Sequence, residues 1–201
     1  MSAVAEKSRG SMTLEEFLRL PDGPPHLEFE EGEVIEMPPA RPGHQKVILR
    51  LGSVLDAHVH GQKLGEVWPE VGVQVGPARL YIPDLVYLSR ERRDLLDADG
   101  GIVRGAPDLV VEILSTYGVR RDRLTKLMVY HKAGVAWYWI VDPDELTVEE
   151  YRHSAEGYVR TGGADAGEGF RPGLFPGLEI DLRKLVTEEG VRQQATGNSK
   201  S

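Results

Sequence analysis

The stretch APDLVVEILSTYGVRRDRLTKLMVYHKAGVAWYWIVDP, residues 106–143, decides the fold. Its first apolar run, Leu109–Leu114, is interrupted only by Glu112 and has the composition of a strand covered on both faces in the middle of a sheet. Gly118–Ala133 reads as a helix stopped by Gly134, and Ala136–Val141 as a second central strand ended by Asp142-Pro143. A strand, a helix and a strand in succession predict a mixed central β-sheet flanked by helices, of the α/β (α+β) class.

The flanks extend this pattern. Upstream, Val67–Val75, Leu80–Ile82 and Leu85–Leu88 read as strands, followed by a charged connector, Arg90–Gly105. Between Gly43 and His60 the positions Val47, Ile48, Leu51, Val54, Leu55 and His58 recur at three and four, which predicts a long amphipathic helix. Leu27–Glu31 and Glu33–Met37 flank Gly32 as two strands about a tight turn, and Thr13 and Glu16 have the spacing of a capping box for a short helix over Thr13–Leu20. Downstream, Leu146–Tyr151 and Gly157–Thr161 form an expected hairpin, and Asp181–Val186 a short terminal helix. Residues 1–12 and 191–201 show no period and are expected to be mobile tails around a single domain, 13–190.

Composition narrows the chemistry. With 201 residues and 40% apolar content the chain can bury a conventional core. The absence of Cys excludes disulfides, thiolate metal sites and cysteine nucleophiles. The start, MSAVAEKSRG, lacks the apolar segment of a signal peptide, and the longest apolar run, Val135–Val141, is far short of the ~20 residues that cross a bilayer. No membrane partner is expected, and a cytoplasmic location is. The net charge of −8 argues at first against a phosphate-bearing partner, but it is unevenly spread. Ser11–Glu36 and Asp142–Gly190 each carry −7, whereas Met37–Val141 carries +3 and Thr116–Gly134 carries +4.

Two acids stand out within that middle stretch. Asp84 follows Pro83 between two short apolar segments, and Glu112 lies among valines and leucines, where a carboxylate is costly unless paired or bound to a cation. Two such acids on neighbouring strands suit a hard cation such as Mg2+; the alternative is that Glu112 pairs with an arginine across the sheet and Asp84 caps a turn. Asp122 and Lys126 are four apart on the expected helix, either a solvated pair or a lysine that reaches back over the strand end. Asp108 is a second Pro-Asp acid, but it stands about 13 Å from Glu112 along the same strand, too far to share one ion directly. Gln74, on the strand before Asp84, is a further candidate for lining the site. Trp137, Tyr138 and Trp139 read as core and interface packing in preference to a base-stacking platform.

In this order the residues resemble the Uma2 (DUF820) family of endonucleases, which have the restriction-endonuclease-like, PD-(D/E)XK, fold. The matching stretches are LEFEEGEVIEMP (27–38), GHQKVILRL (43–51), YIPDLVYL (81–88), GAPDLVVEILS (105–115), RRDRLTKLMVYHKAGVAWYWIVDP (120–143) and LFPGLEIDL (174–182). The resemblance implies that Asp84 is the acid of the Pro-Asp half-motif, Glu112 that of the second half, and Glu28 a third acid holding a metal through water. Leu114 stands where the lysine of the general motif belongs, on the same strand face as Glu112. The resemblance therefore points to Lys126, on the following helix, as a migrated lysine. His44 falls where the family often has a histidine, and is either a supporting residue or a cap.

The implied activity is Mg2+-dependent hydrolysis of DNA phosphodiester bonds, with Mn2+ as a substitute ion. Asp84 and Glu112 would hold the metal, Lys126 would orient water or offset charge, and Arg120, Arg121 and Arg123 would attract the DNA backbone. A homodimer is implied in the same way; in the residues themselves its only support is the aromatic-rich Ala136–Trp139 edge. The rival expectation is a catalytically inactive module of the same fold that serves binding or assembly.

Overall fold

A computed structural model of the chain describes residues 12–21, 23–97, 101–114, 121–166 and 168–187; the side chains of residues 121–123 are outside that description. Both expected tails, apart from Met12, and Arg120 therefore lie outside the described residues. In chain order the elements are helix α1 (Leu14–Phe17), strands β1 (Leu27–Glu30) and β2 (Glu33–Glu36), and helix α2 (Pro42–Gly61). Strands β3 (Gly65–Pro69), β4 (Gly72–Gln74), β5 (Arg79–Tyr81) and β6 (Leu85–Ser89) follow. A 3-10 turn (Arg90–Leu95) leads to β7 (Leu96–Asp97), β8 (Ile102–Arg104) and β9 (Leu109–Ile113). A π-helical turn (Arg121–Lys126) runs into α3 (Leu127–Ala133), then β10 (Trp137–Asp142), β11 (Thr147–His153), β12 (Tyr158–Ala164), β13 (Gly169–Phe170), β14 (Ile180–Asp181) and α4 (Leu182–Val186).

The apolar run around Glu112 becomes β9, and its neighbours explain the composition. It lies inside a six-stranded mixed sheet ordered β12-β11-β10-β9-β6-β3, in which only β9 and β10 run parallel. The helical segment between those two strands is the crossover that a parallel pair requires. On one face, Leu109, Val111 and Ile113 pack against Val47, Ile48, Leu51, Leu55 and Val59 of α2. On the other, Val110 and Leu114 join Val129 and Tyr130 of α3 and Val73, Tyr81 and Val103 of a second sheet. That second sheet is ordered β2-β1-β5-β4-β8-β7. Glu112 points to the α3 side, between the two sheets.

Several boundaries differ from expectation, each for a local reason. The single strand expected over Val67–Val75 is two, β3 and β4, which belong to different sheets. The chain breaks after Pro69, where Glu70 adopts a left-handed φ of 48° and its N–H bonds to the carbonyl of Asp84. The charged connector contains β7 and β8, because Ile102 and Val103 are buried against neighbouring strands. The expected helix over Gly118–Ala133 is α-helical only over α3, with the π turn ahead of it, and its first residues are outside the description. The Ala136–Val141 run is the central strand its composition predicts: β10 is enclosed by β9 and β11, so the aromatic segment offers no sheet edge; Tyr138 and Trp139 are fully buried, and Ala136 and Trp137 are partly open, Trp137 under the Arg152 guanidinium at 5.6 Å.

Candidate active site

Asp84 is placed by the antiparallel pairing of β6 with β9. Leu85 opposes Val111, so Asp84, immediately before β6, lies at the end of the paired stretch, on the side of Glu112 and Ile113. Pro83 ahead of it donates no ladder bond. The Asp84 carboxylate takes over at the end of the ladder, with Oδ2 accepting the Ile113 N–H at 2.5 Å. His44, in the first turn of α2, reaches the same point: its Nε2 lies 2.9 Å from the Ile113 carbonyl and 3.4 Å from Asp84 Oδ2. A carbonyl only accepts, so that nitrogen carries the proton. Nδ1 is buried and has no hydrogen-bond partner among the described residues. Burial pulls the His44 pKa down, but the hydrogen bond and charge of Asp84 and the Ile113 carbonyl outweigh it, and the net shift is upward.

Glu112 meets the helix after β9. Lys126 Nζ donates to its Oε1 at 2.8 Å, and the Tyr130 hydroxyl donates to the same oxygen at 3.0 Å. Lys126 and Tyr130 are one helical turn apart, so both face the sheet. The ammonium also pairs with Glu28 Oε1 at 3.3 Å and lies 5.9 Å from the centre of the Tyr81 ring. Glu28, on β1, accepts the Ile82 N–H at 3.0 Å with that oxygen. Only 0%, 3% and 2% of Glu28, Glu112 and Lys126 is exposed. Charges at that depth persist because they are paired, and removing one partner from such a group costs about 3–5 kcal/mol. Burial, with Glu112 and Glu28 close by, holds the Tyr130 hydroxyl well above its usual pKa, so it remains a donor.

Two sets of contacts result: Asp84 and His44 meet at Ile113, and Glu28, Glu112, Lys126 and Tyr130 meet in a buried cluster; the backbone joins the sets, Ile113 being next to Glu112 and Ile82 two residues before Asp84. Gln74 is engaged elsewhere, donating to the Gly76 carbonyl and accepting from Arg104. Asp108 is held at the far end of β9 by the Ser89 N–H at 2.7 Å and by Arg92 at 3.4 Å. The side chains of Arg121, Asp122 and Arg123 lie outside the described residues, as does all of Arg120. Tyr130 and Tyr81 were not apparent as site residues in the sequence. The four-residue step from Lys126 to Tyr130 was the available signal, but an apolar-helix reading absorbs a tyrosine as core.

The donors suit a hard cation. They are carboxylates from adjacent strands, with no thiolate, and Mg2+ takes one or two carboxylates with waters and phosphate oxygens completing its octahedron. With all four groups ionised, Asp84, Glu112, Glu28 and Lys126 sum to −2, which one divalent ion neutralises. Among the described residues no three His, Asp or Glu side chains are arranged to hold an ion by themselves. A separate cleft of about 630 Å³ at the β3 edge, lined by Asp56, Glu66, Trp68 and Arg93, includes none of these groups.

Comparison with known proteins follows the same residues. The family model "Uma2: Putative restriction endonuclease" matches residues 14–183. A crystal structure at 1.96 Å of a protein from Anabaena variabilis ATCC 29413, described as "a putative nuclease belonging to DUF820", is 25% identical with a TM-score of 0.71. The match covers 87% of this chain and 97% of that one. No curated protein matches the chain.

Proposed function

The chain belongs to the Uma2 family, and from that premise we propose that it is a Mg2+-dependent endonuclease hydrolysing DNA phosphodiester bonds, working in the cytoplasm, with Mn2+ as a substitute ion. Asp84 and Glu112 are the residues that would hold the ion. When bound there, the ion polarises the scissile phosphate and lowers the pKa of a coordinated water. Lys126 supplies a fixed positive charge at the edge of that position, where it orients the attacking water or offsets charge on the pentavalent phosphorus. His44, bonded to the Ile113 carbonyl, fixes the strand end against which Asp84 is set. Arg120, Arg121 and Arg123 would draw in the phosphate backbone.

The observation that carries this reading is the helix-borne Lys126 Nζ 2.8 Å from the strand-borne Glu112, with the Asp84 carboxylate bonded to the N–H of the next residue of that strand, Ile113. Its test is cleavage of plasmid and single-stranded DNA with and without Mg2+ or Mn2+, comparing wild type with Asp84→Ala and Lys126→Met. The expected result is metal-dependent cleavage lost by on the order of 10²-fold or more in both variants. Equal cleavage by wild type and Asp84→Ala would overturn it. One observation favours the alternative, an inactive binding or assembly module: Lys126 and Glu112 already satisfy each other in a buried pair. That reading expects DNA or protein binding without divalent-ion uptake. A homodimer, which would offer two sites to two strands, is inferred from the resemblance alone and is tested by light scattering in solution.

A further inference from the structure

We propose that Glu28 is the positioning residue of Lys126: it keeps the ammonium in the site when Glu112 turns to a divalent ion, and does not bind that ion itself. This rests on the reading of Asp84 and Glu112 as the metal-holding pair, and it replaces the water-mediated metal role that the family resemblance implied for Glu28.

Two carboxylates lie at unequal distances from the Lys126 ammonium. Glu112 Oε1 is the nearer, at 2.8 Å, but Glu112 is also the carboxylate an incoming cation would claim. Glu28 Oε1, at 3.3 Å, belongs to a different sheet and is fixed there by the Ile82 N–H at 3.0 Å. Lys126 is only 2% exposed, so losing Glu112 to an ion would leave a buried positive charge beside a second cation unless another anion remained. Glu28, wholly buried and anchored to backbone, is that anion. The same oxygen bonds the backbone two residues before Asp84, so one carboxylate sets both the lysine and the approach to the Pro-Asp turn. The ring of Tyr81 flanks the ammonium at 5.9 Å and narrows the space into which it could swing.

The test is a double-mutant cycle on Mn2+ affinity by titration calorimetry, with wild type, Glu28→Gln, Lys126→Met and the double variant. Gln retains an oxygen for the Ile82 N–H and removes the charge. With Lys126 present, Glu28→Gln should weaken Mn2+ binding about tenfold or more, because Lys126 then competes more strongly with the ion for Glu112; with Met at 126 the same change should matter less than about threefold. An equal loss in both backgrounds makes Glu28 a metal ligand and overturns the inference, as does no loss in either. Absence of Mn2+ binding by wild type overturns the proposed function first and the inference with it. A second measurement needs no variant to fold. The Lys126 Nζ resonance of wild type should stay shifted and slow to exchange with solvent after Mg2+ is added, and its release to solvent exchange would overturn the inference.

Discussion

At the scale of single residues, Glu112 Oε1 accepts two donors, Lys126 Nζ and the Tyr130 hydroxyl, in a volume that solvent barely reaches. Tyr130→Phe removes one donor without opening a cavity. It should lower stability by about 1.5–3 kcal/mol in urea unfolding, the usual value of a hydrogen bond to a charged group. Glu150, buried like Glu28 and Glu112, is held by Trp139 Nε1 at 3.1 Å, by the Gly173 N–H at 3.1 Å and by Thr161. Burial raises its pKa against the opposing pull of those donors. The folded state therefore binds the proton more tightly than the unfolded chain, so this contribution is full below the ordinary glutamate value of 4.5 and is lost as pH rises through the folded pKa. Thermal melts from acid to neutral pH should show a shallower decline for Glu150→Gln than for wild type; parallel slopes would contradict this. Glu112 was legible in the sequence because an acid inside an apolar run needs a partner. Which partner it takes was not, since an arginine across the sheet and a lysine on the next helix satisfy the same requirement.

Among the elements, α2 shows how far periodicity reaches. Of the positions that the three-and-four spacing picks out, Val47, Ile48, Leu51 and Leu55 are buried and Val54 and His58 only partly so, while the buried Val59 falls outside the set. Leu55→Ala, at a side chain with 0% exposure, should cost about 2–5 kcal/mol in denaturant unfolding. The strand after it is more exacting. A Cβ at Gly65 would lie 2.0 Å from the Leu88 carbonyl oxygen, so Gly65→Ala must push β3 from β6 and should destabilise by at least about 1–3 kcal/mol in the same assay. Periodicity fails where one apolar run serves two sheets. Val67–Val75 reads as continuous, yet Pro69 and the left-handed Glu70 turn it from β3 into β4. The π turn before α3 is likewise silent in the sequence, because five-residue and four-residue backbone bonding draw on the same side chains.

For the whole molecule, the net charge of −8 conceals a basic middle segment, and most of the candidate site lies in that segment. If DNA is the substrate, its binding should depend on few phosphates and weaken with added salt. Replacing Arg120, Arg121 and Arg123 by Ala should weaken binding and flatten the salt dependence, by roughly one unit of log–log slope for each phosphate that an arginine had neutralised, as read by fluorescence anisotropy across a salt series. By itself the sequence determined the elements whose signals are local: the apolar runs of β9 and β10, the amphipathic α2, the capping box at Thr13 and the burial of Glu112. Only the tertiary structure decided which of those elements are neighbours. It brought the Asp84 carboxylate to the Ile113 N–H of β9 and put the second sheet against α3 so that Glu28 reaches Lys126. The physical reason is that strand pairing and buried-charge pairing join residues far apart in the chain. Composition records that a buried charge must be neutralised, but not from which part of the chain the neutralising group comes.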